Sequence, residues 1–199
     1  MSDFGPGSST VFVVTGPSGA GKGTMVQALL ARIPRLRLAV SATTRARRPS
    51  ERDGVHYWFL SDEEFDRRLE AGDFLEHHIF PWGQRSGTLR SELNRIASEG
   101  GVPLLELELN GALAVKENEP GAITIFVDAP LSELERRLRE RATESSGEIE
   151  ERVALAREQK ASASSFDYVV ENDERERAAD ECVAIVERNM NDAATMARR

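Results

Sequence analysis

The sequence predicts an α/β fold, a parallel sheet covered by helices on both faces to give three layers. Three observations carry that expectation. An apolar β-type run, Thr10–Val14, passes through the turn Gly16-Pro17-Ser18-Gly19-Ala20-Gly21-Lys22-Gly23-Thr24 into a helical pattern from Met25 to about Ile33. Further along, short apolar strands alternate with helical patterns, as parallel sheets require because each crossover must return over a face. The stretch Arg45–Phe80, richer in extended structure, reads as an inserted lobe.

Taken in order, Pro34 stops the first helix and Leu36–Val40 makes a second short strand. Ser41–Arg52 is a polar, arginine-dense loop, and Val55–Leu60 alternates as a strand does. Ser61-Asp62-Glu63-Glu64 is a capping box that opens a helix to about Ala71, with Gly72 as its stop. Phe74–Phe80 is extended, Pro81–Gly87 a turn, and Leu89–Ser98 a helix closed by Gly100-Gly101. Val102–Leu109 suits an interior strand, although Glu106 and Glu108 interrupt it. A helix near Ala112–Asn118, a strand at Ala122–Val127 and a charged helix at Leu131–Arg141 follow. After a polar break come a helix at about Ile149–Ala161, a strand at Tyr168–Val170 and a helix at Arg175–Met190. The termini, 1–9 and 191–199, are expected to be flexible and frayed.

Composition narrows the function. A chain of 199 residues fits one domain, and 40% hydrophobic content can fill its core. A formal charge of −8 argues against general nucleic-acid or anionic-membrane binding, so an anionic ligand needs a local basic cluster. The single cysteine, Cys182, suits a reducing, cytoplasmic setting and, lying in a helical stretch, reads as a structural thiol. No apolar run approaches the ~20 residues of a membrane span. The N-terminus lacks the charged and apolar regions of a signal peptide.

The turn at Gly16–Thr24 has the chemistry of a phosphate-binding loop. Its glycines let backbone N–H groups turn inward around a polyphosphate, and the following helix points its positive end at the same anion. Lys22 adds a mobile charge for the outer phosphates. A glycine-rich turn alone proves little, but here the spacing, the lysine, Thr24 and both flanking elements agree. Gly23 occupies the position where Ser or Thr would ligate Mg²⁺ directly. The metal would then be held by phosphates, waters and an acid elsewhere, with Thr24 and Glu106 as candidates.

Ser41–Arg48 places three guanidiniums in one short loop, a second anion site if it is not simply a solvated basic turn. His77-His78 invites a metal reading, but adjacent strand residues face opposite ways and no partner spacing accompanies them.

The spacing Ser41-x-Thr-Thr-Arg45-x-x-Arg48, then Glu51, Gly54, Tyr57, Phe59, Glu64-Phe65 and Phe74-Leu75-Glu76, resembles the guanylate kinase family. So do Asn110-Gly111-Ala112, Arg137-Leu138-x-x-Arg141-x-Thr143-Glu144, Arg152 and the segment Phe166–Asp173. The resemblance implies a P-loop core (10–40 and 88–190), an inserted mixed α/β lobe that binds GMP (41–87) and a helical lid (about 137–160). It implies Mg²⁺-dependent transfer of the ATP γ-phosphoryl group to GMP or dGMP by a monomer or homodimer. ATP would lie on Gly16–Thr24 and near Asn172. Arg45, Arg48 and Tyr57 would hold the GMP phosphate. Ser41, Glu76, Thr88 and Glu108 would face its base. Lys22, Arg45, Arg137 and Arg141 would spread the charge of the transferring group.

The chain departs from the family pattern at four places. Ser86 stands where a tyrosine usually contacts the GMP phosphate, with Arg85 beside it as a substitute donor. Glu106 and Glu108 replace aspartates, Glu140-Arg141-Ala142 replaces Gly-Arg-Gly, and Arg47 stands where proline is frequent. Two alternatives therefore stay open: a kinase for a modified guanine nucleotide or ribose phosphate, and a non-catalytic nucleotide- or protein-binding module.

Overall fold

The computed structural model describes residues 10–80, 82–140 and 146–196. Residues 1–9, Arg141 and the residues from 197 onward lie outside that description. Strand β1 (Phe12–Thr15) is the centre of a five-stranded sheet whose described pairings are all parallel. The order is β2 (Leu36–Leu38), β7 (Val102–Glu106), β1, β8 (Ile123–Asp128), β9 (Tyr168–Glu171). Every residue of β1 is buried, and its alternation separates two cores. Phe12 and Val14 meet Met25 and Leu29 of α1 (Lys22–Arg32) and Cys182 and Val186 of α7 (Arg175–Met196). Val11 and Val13 meet Leu93 of α3 (Arg90–Ser98) and Ala112 and Val115 of α4 (Leu109–Asn118). Two helical layers on one sheet are thus written in the period of a single strand. Burial pushes the Cys182 thiol up to about 12, so it packs as an inert apolar group.

A second, four-stranded sheet has the order β4 (Trp58–Phe59), β3 (Ala42–Thr43), β6 (Arg85–Leu89), β5 (Phe74–Ile79). It is mixed: β3 and β4 are parallel, while β6 is antiparallel to both β3 and β5. Helix α2 (Asp62–Glu70) covers one face, with Phe65 buried against Phe74, Ala42 and Leu89. The expected cap is present, since Glu64 N donates to Ser61 Oγ at 3.1 Å. The remaining helices, α5 (Leu131–Glu140) and α6 (Ser146–Ala161), follow β8. Lys160 near the end of α6 pairs with Asp128 at the end of β8.

Several local expectations shift. Ala42–Thr43 is a strand inside the stretch read as a loop, and the turn expected over Pro81–Gly87 is largely strand β6. The hairpin closes where Phe80 N donates to Gln84 O at 2.8 Å. The strand expected over Val102–Leu109 stops at Glu106, and Glu108, with extended backbone, caps α4. The last helix continues past Met190 to Met196. Among the described residues, no helix is long and apolar enough to cross a membrane.

Candidate functional site

The glycine-rich turn lies at the C-terminal end of the central strand, where neighbouring connections leave in opposite directions and open a crevice. Two glycines show why side chains are excluded. Gly16 has φ 145° and a Cβ there would collide with the carbonyl of Val127. Gly21, with φ 95°, caps α1 in the left-handed region, and a Cβ would strike the Asn172 amide. Helix α1 has no acidic residue in its first turn and no side-chain cap, so its N-terminal N–H groups are available to an anion.

The loop is held from outside through its carbonyls. Buried Asn172 donates to Ala20 O at 2.6 Å. Arg137 donates to Gly19 O at 3.4 Å, Ala20 O at 3.3 Å and Asn172 O at 3.0 Å, while its Nε pairs with Glu133 at 2.7 Å. Arg137 is therefore both a helix ion-pair partner and a brace for the loop. Arg136 and Arg137 together hold the Glu133 carboxyl down at about 2. Asn172 Oδ1 is buried without a hydrogen-bond partner among the described residues. Lys22 donates to Gly16 O at 2.7 Å and stands 3.5 Å from Glu108 Oε1.

Glu106 ends β7 beside the loop. A Cβ at Gly23 would lie in ordinary contact with it, 3.6 Å from Oε1 and 3.9 Å from Oε2, which places the carboxylate directly beside the loop. Desolvation raises the Glu106 carboxyl, Lys22 opposes the rise and Glu108 adds to it. A hard-oxygen group next to the loop lysine, with half-buried Thr24 on the adjoining helix turn, is a donor set that fits Mg²⁺. Among the described residues there is no cluster of three or more His, Cys, Asp or Glu able to hold a metal by itself.

The arginine loop is ordered by one acid. Glu51 accepts from Arg45 Nη2 at 2.7 Å, Arg45 Nη1 at 3.1 Å and Arg48 N at 2.8 Å, and its carbonyl accepts from Arg47 at 2.6 Å. The Arg45 guanidinium lies 5.3 Å from the ring centre of Tyr57 and 5.8 Å from that of Phe59. Arg45, with Arg48 contributing, holds the Glu51 carboxyl at about 2, so the pair stays charged at any ordinary pH. Residue type alone gave Glu51 no role; its place within six residues of both arginines was the available signal.

Glu76 is 7% exposed and accepts from Thr88 Oγ1 at 2.8 Å. A bulge between Phe74 and Glu76 positions it. Phe74 enters the core beneath α2, Leu75 enters the core of α3 and α4, and Glu76 faces a cavity. Gly111 opens space there, because a Cβ would sit 3.1 Å from Glu76 Oε2. Burial pushes the Glu76 carboxyl up, and hydrogen bonds from the Thr88 hydroxyl and N–H oppose it.

The cavity, about 530 Å³, is lined by Ser41, Tyr57, Glu76, Glu106 and Glu108. Leu155, Glu158 and Gln159 of α6 close another side, which sequence reading did not anticipate. A smaller adjoining space of about 310 Å³ reaches Thr88 and His56. The structure thus brings Ser41, Tyr57, Glu76, Thr88 and Glu108 around connected space, with Lys22 at the Glu108 end. Arg45 reaches it through Tyr57, and Arg48 is exposed on the same loop. Arg85 does not join them. It pairs with Asp66, lies near Asp62 and rests over Phe65, on the α2 side of the sheet. Strand alternation explains this, since Ser86 and Thr88 take the cavity face and Arg85 the other.

A glycine-rich lysine loop at the switch point of a parallel sheet, facing a second basic loop across a cavity with a buried carboxylate, defines a P-loop fold. Comparison with known proteins narrows the class. The guanylate kinase family model matches residues 8–189. A guanylate kinase of Symbiobacterium thermophilum is 44% identical over 88% of this chain and 83% of its own, and one of Rubrobacter xylanophilus is 45% identical over 89% and 93%. The crystal structure of guanylate kinase from Anaplasma phagocytophilum superposes with a TM-score of 0.67 at 27% identity, covering 91% of this chain and 86% of that one. The chain belongs to the guanylate kinase family.

Proposed function

We propose that this chain transfers the γ-phosphoryl group of ATP to GMP or dGMP, giving ADP and the nucleoside diphosphate. The observation that carries the reading is Glu76, a buried carboxylate facing a cavity whose other end meets the phosphate loop. Guanine offers an N1–H and a 2-amino group on one edge, and one carboxylate accepts from both. Adenine offers neither donor there and would leave the buried charge unpaired. Thr88 fixes the carboxylate, Ser41 lines the same connected space, and Glu108 lines it on the side toward Lys22. Arg45 and Arg48, ordered by Glu51, and the Tyr57 hydroxyl hold the acceptor phosphate.

ATP phosphates lie on the N–H groups of Gly16–Thr24. An oxygen of the acceptor phosphate forms a bond to the γ-phosphorus as the bond to the β–γ bridging oxygen breaks, and ADP leaves with that electron pair. No enzyme nucleophile is needed, because positioning and charge compensation supply the catalysis. Lys22 swings from the loop carbonyls to the outer phosphates. Arg137 and Asn172 keep the loop carbonyls turned outward, and Arg141, outside the described residues, joins from the lid. Thr24 and Glu106 would hold Mg²⁺ through water and substrate phosphates. When bound, the metal neutralises charge on the phosphate oxygens. We read 41–87 as the moving acceptor lobe and 137–160 as the lid. All these residues come from one chain, and a single buried cysteine suits the cytoplasm.

The test is ADP release from ATP and Mg²⁺ with GMP, dGMP, IMP, AMP and UMP offered separately. Turnover on GMP and dGMP in clear preference to AMP and UMP is expected. Equal turnover on AMP, or none on GMP despite measurable binding, would overturn the reading.

Glu51→Ala provides a second expectation. It removes the partner that aims Arg45 and pins the Arg48 backbone, so KM for GMP should rise roughly tenfold with kcat little changed. Steady-state kinetics with GMP as the varied substrate measures it. A fall in kcat at unchanged KM would contradict a positioning role in acceptor binding.

A further inference from the structure

The hairpin of β5 and β6 presents its cavity face in rungs. Glu76 pairs with Thr88, and the next rung on that face pairs His78 with Ser86, which in turn pairs with Thr43 of β3. One rung further, β3 continues into Arg45, while Thr44 N donates to Arg85 O and Phe80 N donates to Gln84 O. Same-face residues on a strand are about 6.6 Å apart. His78 therefore stands midway between the carboxylate assigned to the base and the row that holds the phosphate-binding arginine. It lines the same cavity as Ser41, Tyr57, Glu76 and Ser86. Its ring meets Phe80 edge-on at 4.6 Å, and Phe80 stacks on Trp82 at 4.9 Å. Among the described residues no hydrogen bond or ion pair engages its nitrogens.

We propose that His78 contacts the phosphate of the acceptor nucleotide, supplying from β5 the donor that Ser86 on β6 is too short to supply. Directly opposed residues on one sheet face have Cβ atoms roughly 4.5–5.5 Å apart, so a long polar side chain on either strand reaches the same volume. An imidazole at His78 and a hydroxymethyl at Ser86 divide that volume as long and short partners. Ser86 is already committed, its hydroxyl donating to Ala42 O at 3.1 Å. Arg85 is turned away to α2. His78 is then the polar side chain of the hairpin placed to donate to an anion at this rung. The inference rests on the acceptor site proposed above.

The test is titration of the full-length chain with GMP and, in competition, with guanosine, which shares the base and ribose but lacks the phosphate. His78→Ala is expected to weaken GMP about tenfold and guanosine less than twofold. The double variant His78→Ala with Ser86→Tyr is expected to recover most of the loss by filling the volume from the other strand. Equal weakening of GMP and guanosine would overturn the phosphate contact and assign His78 a merely structural part. Undiminished GMP binding would overturn it as well. Wild-type protein that bound no GMP would overturn the functional reading and this contact together. Normal wild-type binding with an unaffected variant would remove only the contact.

Discussion

Lys22→Ala is expected to lower kcat roughly 10²–10³-fold while changing GMP affinity little. Its ammonium is the flexible cation attached directly to the loop, and it can move from Gly16 O to a phosphate oxygen without disturbing the fold. Negative charge grows on the β–γ bridging oxygen as its bond to the transferring group breaks, so a cation engaged there acts on kcat more than on binding. The acceptor subsite we propose is built from other elements and keeps Arg45 and Arg48. Steady-state kinetics combined with GMP titration separates the two effects. Lys22→Arg should fail nearly as badly, because a planar fork cannot replace a compact point charge where several phosphate oxygens converge. A variant with near-normal kcat would remove Lys22 from the chemistry.

Glu76→Gln is expected to reduce kcat/KM for GMP at least about 10²-fold, since two charge-assisted hydrogen bonds become one weaker bond and one donor–donor clash. The same change should raise thermal stability. Burial holds the folded-state carboxyl above its ordinary value of 4.5, so the folded protein keeps this proton more readily than the unfolded chain does. That contribution is greatest below 4.5 and is lost as pH rises through the folded-state value. A neutral amide of the same shape does not lose it, and its oxygen still accepts from Thr88. The melting temperature of the variant should therefore exceed that of the parent at neutral pH, with the gap closing in acid. Thermal melts across that range measure the gap; a variant less stable at pH 7 would show that the carboxylate is better compensated than its surroundings indicate.

The chemistry-bearing motifs were legible in the sequence because each depends on local spacing. The phosphate loop, the α2 capping box and the alternation of β1 are all set within about ten residues. Strands β3 and β6 were not legible. Ala42–Thr43 is too short to show a period, and Arg85-Ser86-Gly87-Thr88 lacks apolar alternation; both become strands only through their partners. The same gap misdirected Arg85, whose face is set by sheet parity and not by its nearness to Ser86 in sequence. Glu51 was visible as a residue but not as the organiser of Arg45 and Arg48, because that role depends on how the loop closes. The contribution of α6 to the cavity is purely tertiary.

The bulge at Leu75 carries one more consequence. Leu75 is anchored in the core of the parallel sheet, and its carbonyl accepts from Asn118 at 3.2 Å, while the next residue is the carboxylate we propose as the reader of the base. Substrate identity thus depends on a count of residues as well as on their chemistry. Gaining a position between Gly72 and Glu76 would bring Leu75 to the place of the carboxylate, and losing one would bring His77 there and push the carboxylate into the core of α3 and α4. In evolutionary terms this stretch can exchange side chains but cannot change length, and a length change there would erase base recognition while leaving both sheets able to form.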